Sequence, residues 1–176
     1  MGSFLSIPIL ALVAALQVTV VPQFGILGGR PDLVFLFVIA WALNSDLDEG
    51  VIWAFAGGII KDLLSANPVG TSVVGLVILV FAIHFIRQQI YRVSIISLVW
   101  ITLLGSLFFQ LTVLLIMLFT GFQPAFLNRL GLAPLVNDLT YVILPTIVYN
   151  LGLVFPVYWI TRRIQKRVGR QKPFFS

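Results

Sequence analysis

Long stretches without a single charged residue constrain this chain more than any other feature. Asp, Glu, Lys and Arg are absent from six runs, 1–29, 33–45, 51–60, 63–86, 93–128 and 139–161. A helix needs about 20 apolar residues to cross a bilayer, and four of these runs meet that length. With 60% hydrophobic and 10% charged residues, the chain lacks the polar side chains of a water-soluble surface. We therefore predict an all-α polytopic membrane protein.

Turn residues and charges divide the apolar sequence into six predicted transmembrane helices. Their ranges are 4–24, 31–44, 50–66, 69–86, 93–120 and 137–161. Pro31 is predicted at the first position of the second helix, and Asn137 with Asp138 at the start of the sixth. The second and third helices are short, so each either crosses the membrane or re-enters it. Residues 1–161 are expected to form one transmembrane domain, followed by a basic cytoplasmic tail over 162–176.

The number of crossings and the distribution of basic residues predict the topology. Six crossings, or four if both short helices re-enter, place both termini on one side. Basic residues mark the cytoplasmic side. The tail is expected to anchor the chain to anionic lipid or to contact a cytoplasmic partner. Its basic residues are Arg162, Arg163, Lys166, Arg167, Arg170 and Lys172. Their position beside the last predicted span also argues against nucleic-acid binding, despite a net charge of +5.

The residue types that most chemistry requires are scarce. The chain has no cysteine and one histidine, His84. Disulfides, zinc–thiolate sites and thiol catalysis are thereby excluded, and a histidine-rich metal site cannot form. No motif for phosphate binding or hydrolysis is present. Asp62 and Asp138, without a nucleophile or metal ligands, do not make an active site. We predict no enzyme activity, no cofactor and no metal.

The segment FAGGIIKDLLSANPVG, residues 55–70, places two opposite charges in an apolar helix. At helical spacing Ala54, Gly58 and Asp62 share one face, with Gly57 and Lys61 beside it. Small residues four apart let membrane helices approach closely, so this face is predicted to pack against another helix or a partner protein. A charge inside a bilayer is costly and is normally paired or functional.

Three interpretations of the charged pair remain open. Lys61 extends to the membrane interface while Asp62 caps or pairs locally, or the two residues lock a neighbouring helix or partner, or they belong to a transport or proton-relay site. Pro68 and Gly70 are predicted to form the turn into the next helix. Asn150 in the last helix is predicted to bond to another helix, with a ligand contact as the alternative. Trp41, Trp53, Trp100 and Trp159 are predicted to be interface anchors and packing residues.

These residues carry a resemblance to a known family. RPDLVFLFVIAWAL, then Gly50, then FAGGIIKDLLSANPVG, and a last helix running into RRIQKR resemble the MreD family of rod shape-determining membrane proteins. The resemblance covers about residues 25–165, and its specific part is about 30–75. The positions that match the family pattern are Pro31, Gly58, Asp62, Leu63 and Gly70.

The resemblance implies a non-enzymatic scaffold of bacterial cell-wall elongation in the cytoplasmic membrane. It implies MreC as the direct partner, and RodA, a class B penicillin-binding protein and the MreB filament as members of the same complex. It also implies a six-helix bundle similar to the S components of ECF-type vitamin transporters. That similarity supplies the alternative function, a substrate-binding transporter subunit. The short connection FGILGGR and the few polar residues within the spans favour the scaffold.

Overall fold

The computed structural model describes residues 6–25, 29–65, 68–89, 93–120 and 142–169. Within these ranges the chain forms α-helices and a 3₁₀ turn at Val21–Phe24, and no β-strand. The prediction of an all-α membrane protein is confirmed. The α-helices of the described ranges are α1 (Ser6–Thr19), α2 (Leu33–Ala42), α3 (Leu47–Leu64), α4 (Thr71–Gln89), α5 (Ile95–Thr120) and α6 (Leu144–Gly169).

The helices differ in whether they are long and apolar enough to cross a membrane. Three segments of the described chain meet both conditions, Thr71–Gln89, Ile95–Ile116 and Leu144–Lys166. α1 and α2 are apolar but shorter, and α3 carries charges near both ends. At 1.5 Å per residue, α2 covers about 15 Å, or about half of a bilayer's hydrocarbon core.

α2 forms the centre of the bundle. Every side chain from Val34 to Leu43 is buried, and the helix packs against α1, α3, α4 and α6. Its sequence, LVFLFVIAWA, is apolar on all sides, so it is stable only when other helices surround it. The predicted start at Pro31 is wrong by two residues. Asp32 caps the helix by accepting a hydrogen bond from the Phe35 N–H at 3.1 Å, and Pro31 precedes this cap.

An aromatic cluster closes one end of the core. The rings of Trp41 and Trp53 lie 4.4 Å apart between centroids, and Phe37 lies within 5.5 Å of both. Both tryptophans are buried, so they pack in the core and are not interface anchors. Trp100 and Trp159 are more than half exposed, as anchors would be.

Arg87 and the basic residues of α6 lie at the end of the bundle that holds this aromatic cluster. Arg87 near the end of α4 donates to the Ser45 backbone oxygen just beyond α2, and Gln165 of α6 donates to the Trp41 backbone oxygen at 3.3 Å. We call this the basic end. α6 runs without a break from the predicted span into the predicted tail. It therefore carries Arg162, Arg163, Lys166 and Arg167 on its last turns.

Some predictions concern residues outside the described ranges. They are the turn residue Asn67, the start of the sixth helix at Asn137 and Asp138, and the tail residues Arg170 and Lys172.

Candidate functional site

Lys61 and Asp62, neighbours near the end of α3, contact two different helices. Successive side chains on a helix point about 100° apart, so adjacent residues reach different neighbours. Lys61 forms an ion pair with Asp32 at the start of α2. Asp62 accepts hydrogen bonds from the start of α4. The end of α3 is thereby fixed to both helices.

Asp62 caps α4 from outside that helix. Its carboxylate accepts from the Gly70 N–H at 2.7 Å and from the Ser72 N–H at 2.9 and 3.1 Å, and the residue is 2% exposed. The first N–H groups of a helix lack partners within the helix, and a negative charge there is favourable. Gly70 has φ +102°, a left-handed conformation that glycine adopts most easily. The Gly70 backbone therefore turns so that the first N–H groups of α4 face the Asp62 carboxylate.

The small residues of α3 are used in packing within this chain. A Cβ on Gly58 would lie 2.5 Å from the Val73 Cα atom, so the backbones of α3 and α4 touch at this point. A Cβ on Gly57 would lie 3.1 Å from the Val38 side chain of α2. Ala54 is fully buried on the same helix. The face that was predicted to meet another helix or a partner lies against α2 and α4.

Lys61 does not extend to the membrane interface. Its ammonium group pairs with the Asp32 carboxylate and lies 4.0 Å from the centroid of the Phe109 ring of α5. The two charged side chains are 16% and 10% exposed. The second Asp32 oxygen caps α2. The carboxylate thus receives a cation and a helix N–H group at once, which lowers the cost of burying its charge.

Two amide side chains complete the start of α2. Asn150 of α6 accepts from the Asp32 N–H at 2.9 Å and donates to the Ser106 hydroxyl of α5 at 3.2 Å. Gln17 of α1 accepts from the Leu33 N–H at 2.7 Å and donates to the Pro31 backbone oxygen at 3.1 Å. Backbone polar groups inside a membrane need partners within the protein. We call Gln17, Asp32, Lys61, Ser106 and Asn150 the polar core.

The polar core lies deep in the bundle. Ser106 is eleven residues into α5 and Lys61 fourteen residues into α3, and both helices begin at the basic end. At 1.5 Å per residue, these positions are about 17 and 21 Å from the helix starts. The polar core therefore lies where lipid would surround an isolated helix, and it joins α1, α2, α3, α5 and α6.

The segment that leads into α2 is held against the start of α6. The Arg30 N–H donates to the Thr146 hydroxyl at 3.3 Å. A Cβ on Gly29 would lie 2.6 Å from the Pro145 Cβ, so the two backbones approach closely there. This contact positions the chain so that the Asp32 N–H lies within hydrogen-bond distance of the Asn150 side chain.

The arrangement serves to hold helices together. The polar core satisfies its own side chains, with each amide bonding in two directions and the two charges facing each other. In the ranges that the structure describes, no three His, Asp or Glu residues gather as a metal site would require. The chemistry supported by the geometry is the capping and pairing of helix ends.

Sequence reasoning found part of this site and missed part. Of the residues singled out from sequence, Lys61 and Asn150 join the polar core, and Asp62, Pro68 and Gly70 form the start of α4. Gln17, Asp32 and Ser106 were missed, although each is a lone polar residue within or beside an apolar run. A search for an acid to neutralise Lys61 would have pointed to Asp32, whose charge precedes the most apolar helix.

Comparison with known proteins gives one match. The family model described as rod shape-determining protein MreD matches residues 1–164, and so includes α1 as well as the segment that carried the resemblance. No curated protein and no solved structure matches the chain.

Proposed function

The chain belongs to the MreD family of rod shape-determining proteins, and from this membership we propose that it is a non-catalytic membrane scaffold that binds MreC. Membership gives the chain a role in determining rod shape. The proposed complex is the one that elongates the bacterial cell wall in the cytoplasmic membrane. Its other members are RodA, a class B penicillin-binding protein and the MreB filament.

The closed polar core is the observation that best supports a scaffold. A catalytic or transport site needs polar groups that are free to meet a substrate. Here the Asp32 and Lys61 charges face each other, and Asn150 and Gln17 are used by the start of α2. Opening such a group to a ligand would leave buried polar atoms without partners, at a cost of several kcal/mol. A rigid bundle that presents a constant outer surface fits a protein that binds other proteins.

The surface that binds MreC is proposed to lie outside the small-residue face. Ala54, Gly57, Gly58 and Asp62 are occupied by contacts within the chain, so they support the shape of the bundle and do not meet a partner directly. Lys166 and the basic turns around it at the end of α6 are available for anionic lipid or a cytoplasmic partner.

The vitamin-transporter alternative has less support. A substrate-binding subunit needs a polar pocket among its helices. The side chains of the polar core bond to one another. The connection before α2 is longer than the predicted FGILGGR, because α1 ends at Thr19 and α2 begins at Leu33, so its length does not argue against a transporter subunit.

Purification from the native membrane in mild detergent tests the proposal. Mass spectrometry of proteins and small molecules is expected to recover MreC in stoichiometric amount, with RodA or the penicillin-binding protein, and no bound metabolite. An unrelated tagged membrane protein of similar size serves as the control. Recovery of a stoichiometric vitamin together with ATPase subunits, and no MreC, would contradict the scaffold and support the transporter subunit.

A further inference from the structure

One glycine inside a spanning helix does not contribute to packing within the bundle. The five glycines of α3, α4 and α5 are explained by close packing, because a Cβ at each would lie 3.4 Å or less from an atom of another helix. A Cβ on Gly152 of α6 would meet no atom within 4 Å, and the residue is exposed. Glycine weakens a helix, so the bundle would gain from a larger residue at this position. The contacts within the chain therefore do not explain Gly152.

Pro156 leaves a backbone acceptor at the same glycine. It lies inside α6, and its nitrogen carries no hydrogen, so the Gly152 C=O lacks the N–H group that would close its helical hydrogen bond. In spanning helices such a carbonyl is satisfied by a Ser or Thr side chain or by a neighbouring helix. The residues between the two are Leu153, Val154 and Phe155, which have no polar side-chain atom. The Gly152 oxygen therefore needs a donor from outside this turn of α6.

Gly152 lies at the centre of the exposed face of α6. The helix packs against α2 and α5 through the face that carries the buried Asn150. Val148, Phe155 and Trp159 are 68%, 40% and 54% exposed. They lie four, three and seven residues from Gly152, which places all of them on the side away from α2 and α5. Large apolar side chains thus flank a gap at Gly152 that no helix of this bundle fills.

The depth of Gly152 identifies the kind of donor. Gly152 lies thirteen residues before Gln165, which bonds to the end of α2 at the basic end, so it is about 20 Å from that end. This position falls within a hydrocarbon core about 30 Å thick, where acyl chains offer no hydrogen-bond donor. A second spanning helix can offer a Ser, Thr, Asn or Gln donor, and its backbone can approach closely where a glycine leaves space.

We propose that this face of α6 is the docking surface for one transmembrane helix of a partner protein. We call it the Gly152 face, formed by Val148, Gly152, Phe155, Pro156 and Trp159. The partner helix crosses α6 at Gly152 and donates a side-chain hydrogen bond to the Gly152 oxygen. The inference rests on the proposed scaffold function and deepens it, because it names the surface at which the scaffold holds its partner.

Two substitutions test this surface without weakening the fold. Gly152→Leu fills the gap, and Pro156→Ala restores the N–H group that the Gly152 oxygen lacks. Both positions are exposed and both changes favour a helix, so each variant is expected to unfold in detergent at or above the wild-type temperature. Copurification from the native membrane is expected to recover about tenfold less MreC with Gly152→Leu and about threefold less with Pro156→Ala. Ala15→Leu, at an exposed position of α1, is the matched control and is expected to recover MreC as the wild type does.

Photo-crosslinking in the native membrane identifies the occupant. A benzophenone amino acid replaces Val148, which borders the gap, or Ile78 on the exposed side of α4 as the control. Val148 is expected to give a product with the transmembrane segment of one partner protein, and Gly152→Leu in the same chain is expected to remove it. Ile78 is expected to give no such product. The proposal would be overturned by no protein product at Val148, by a product with a second copy of this chain, or by a product that Gly152→Leu leaves unchanged.

The two measurements separate this surface from the scaffold function. If the wild type and both variants recover MreC equally, the scaffold proposal stands and the Gly152 face is not its docking surface. If the wild type recovers no MreC, the scaffold proposal fails and the product at Val148 alone decides whether the Gly152 face holds a partner helix.

Discussion

Successive side chains of a helix point about 100° apart, so the neighbours Lys61 and Asp62 contact different helices and have different roles. Lys61 neutralises the carboxylate that begins α2, and Asp62 supplies the carboxylate that begins α4. Both are explained by polar groups at the starts of other helices, which the bilayer would leave without partners.

The Lys61–Asp32 pair is expected to behave as a coupled unit. Lys61→Met leaves the Asp32 charge buried without a partner, and losing one member of a buried pair costs about 3–5 kcal/mol. Adding Asp32→Asn removes that charge and keeps an oxygen to cap α2, so the double variant is expected to regain at least half of the loss. Thermal unfolding in detergent measures both. Costs that simply add would show that the two residues do not interact.

Asp62 is expected to act as a helix cap through its oxygens. Asp62→Ala removes the acceptor for the Gly70 and Ser72 N–H groups, at a cost of about 1–2 kcal/mol, and Asp62→Asn keeps one oxygen and costs less. Hydrogen exchange is expected to speed up at the Gly70 and Ser72 amides in the alanine variant. If exchange rises evenly along α4, the effect is general destabilisation and the cap is not its cause.

At the scale of helices, the bundle depends on one that is too short to cross the membrane. α2 is surrounded on all sides, so its length is set by the helices around it and by the polar groups at its start. The close approach of α3 and α4 at Gly58 helps these helices to surround α2. A side chain at this position would push the two backbones apart.

Two glycines in helices are expected to respond in opposite directions to the same change. Gly58→Ala places a Cβ 2.5 Å from the Val73 backbone and is expected to lower the unfolding temperature by several degrees or prevent assembly. A Cβ on Gly152 of α6 meets no atom within 4 Å, so Gly152→Ala is expected to raise stability by about 0.5–1 kcal/mol through helix propensity. Destabilisation of equal size at both positions would contradict the close-packing argument.

The sequence allowed the helices to be predicted to within a few residues at most boundaries, because charges and turn residues interrupt long apolar runs. The start of α2 was less predictable, since its cap depends on Asn150, which is 118 residues away in the chain. α6 was placed to end at residue 161, where the basic residues begin. Cations near a helix C-terminus favour its continuation, and the helix runs on to Gly169.

For the whole molecule, the contacts arrange the helices so that their ends alternate between two sides. The starts of α3 and α5 and the ends of α2, α4 and α6 lie at the basic end, and α1 begins there too, since Leu10 packs with the Trp41 and Trp53 cluster. In the described ranges α1 begins and α6 ends at this same end, and the positive-inside rule predicts that this end faces the cytoplasm.

Cysteine labelling is expected to report this orientation cleanly, because the natural chain has no cysteine. In intact cells a membrane-impermeant thiol reagent is expected to label Gln23→Cys, beyond the end of α1, and to leave Asp48→Cys unlabelled. Both positions are exposed. Asp48→Cys is expected to react after the cells are opened, which controls for its reactivity. The reverse pattern would invert the topology.

The hydrogen bond between Asp32 and Asn150 also makes the start of α2 depend on α6, the last helix to be synthesised. α2 is synthesised long before Asn150. Until α6 is made, the Asp32 N–H at the start of α2 therefore lacks this acceptor. A chain that terminates before α6 never supplies this partner, so the Asp32 N–H at the start of α2 is left without its acceptor. Truncations that remove α6 are therefore expected to lower the amount of folded protein in the membrane.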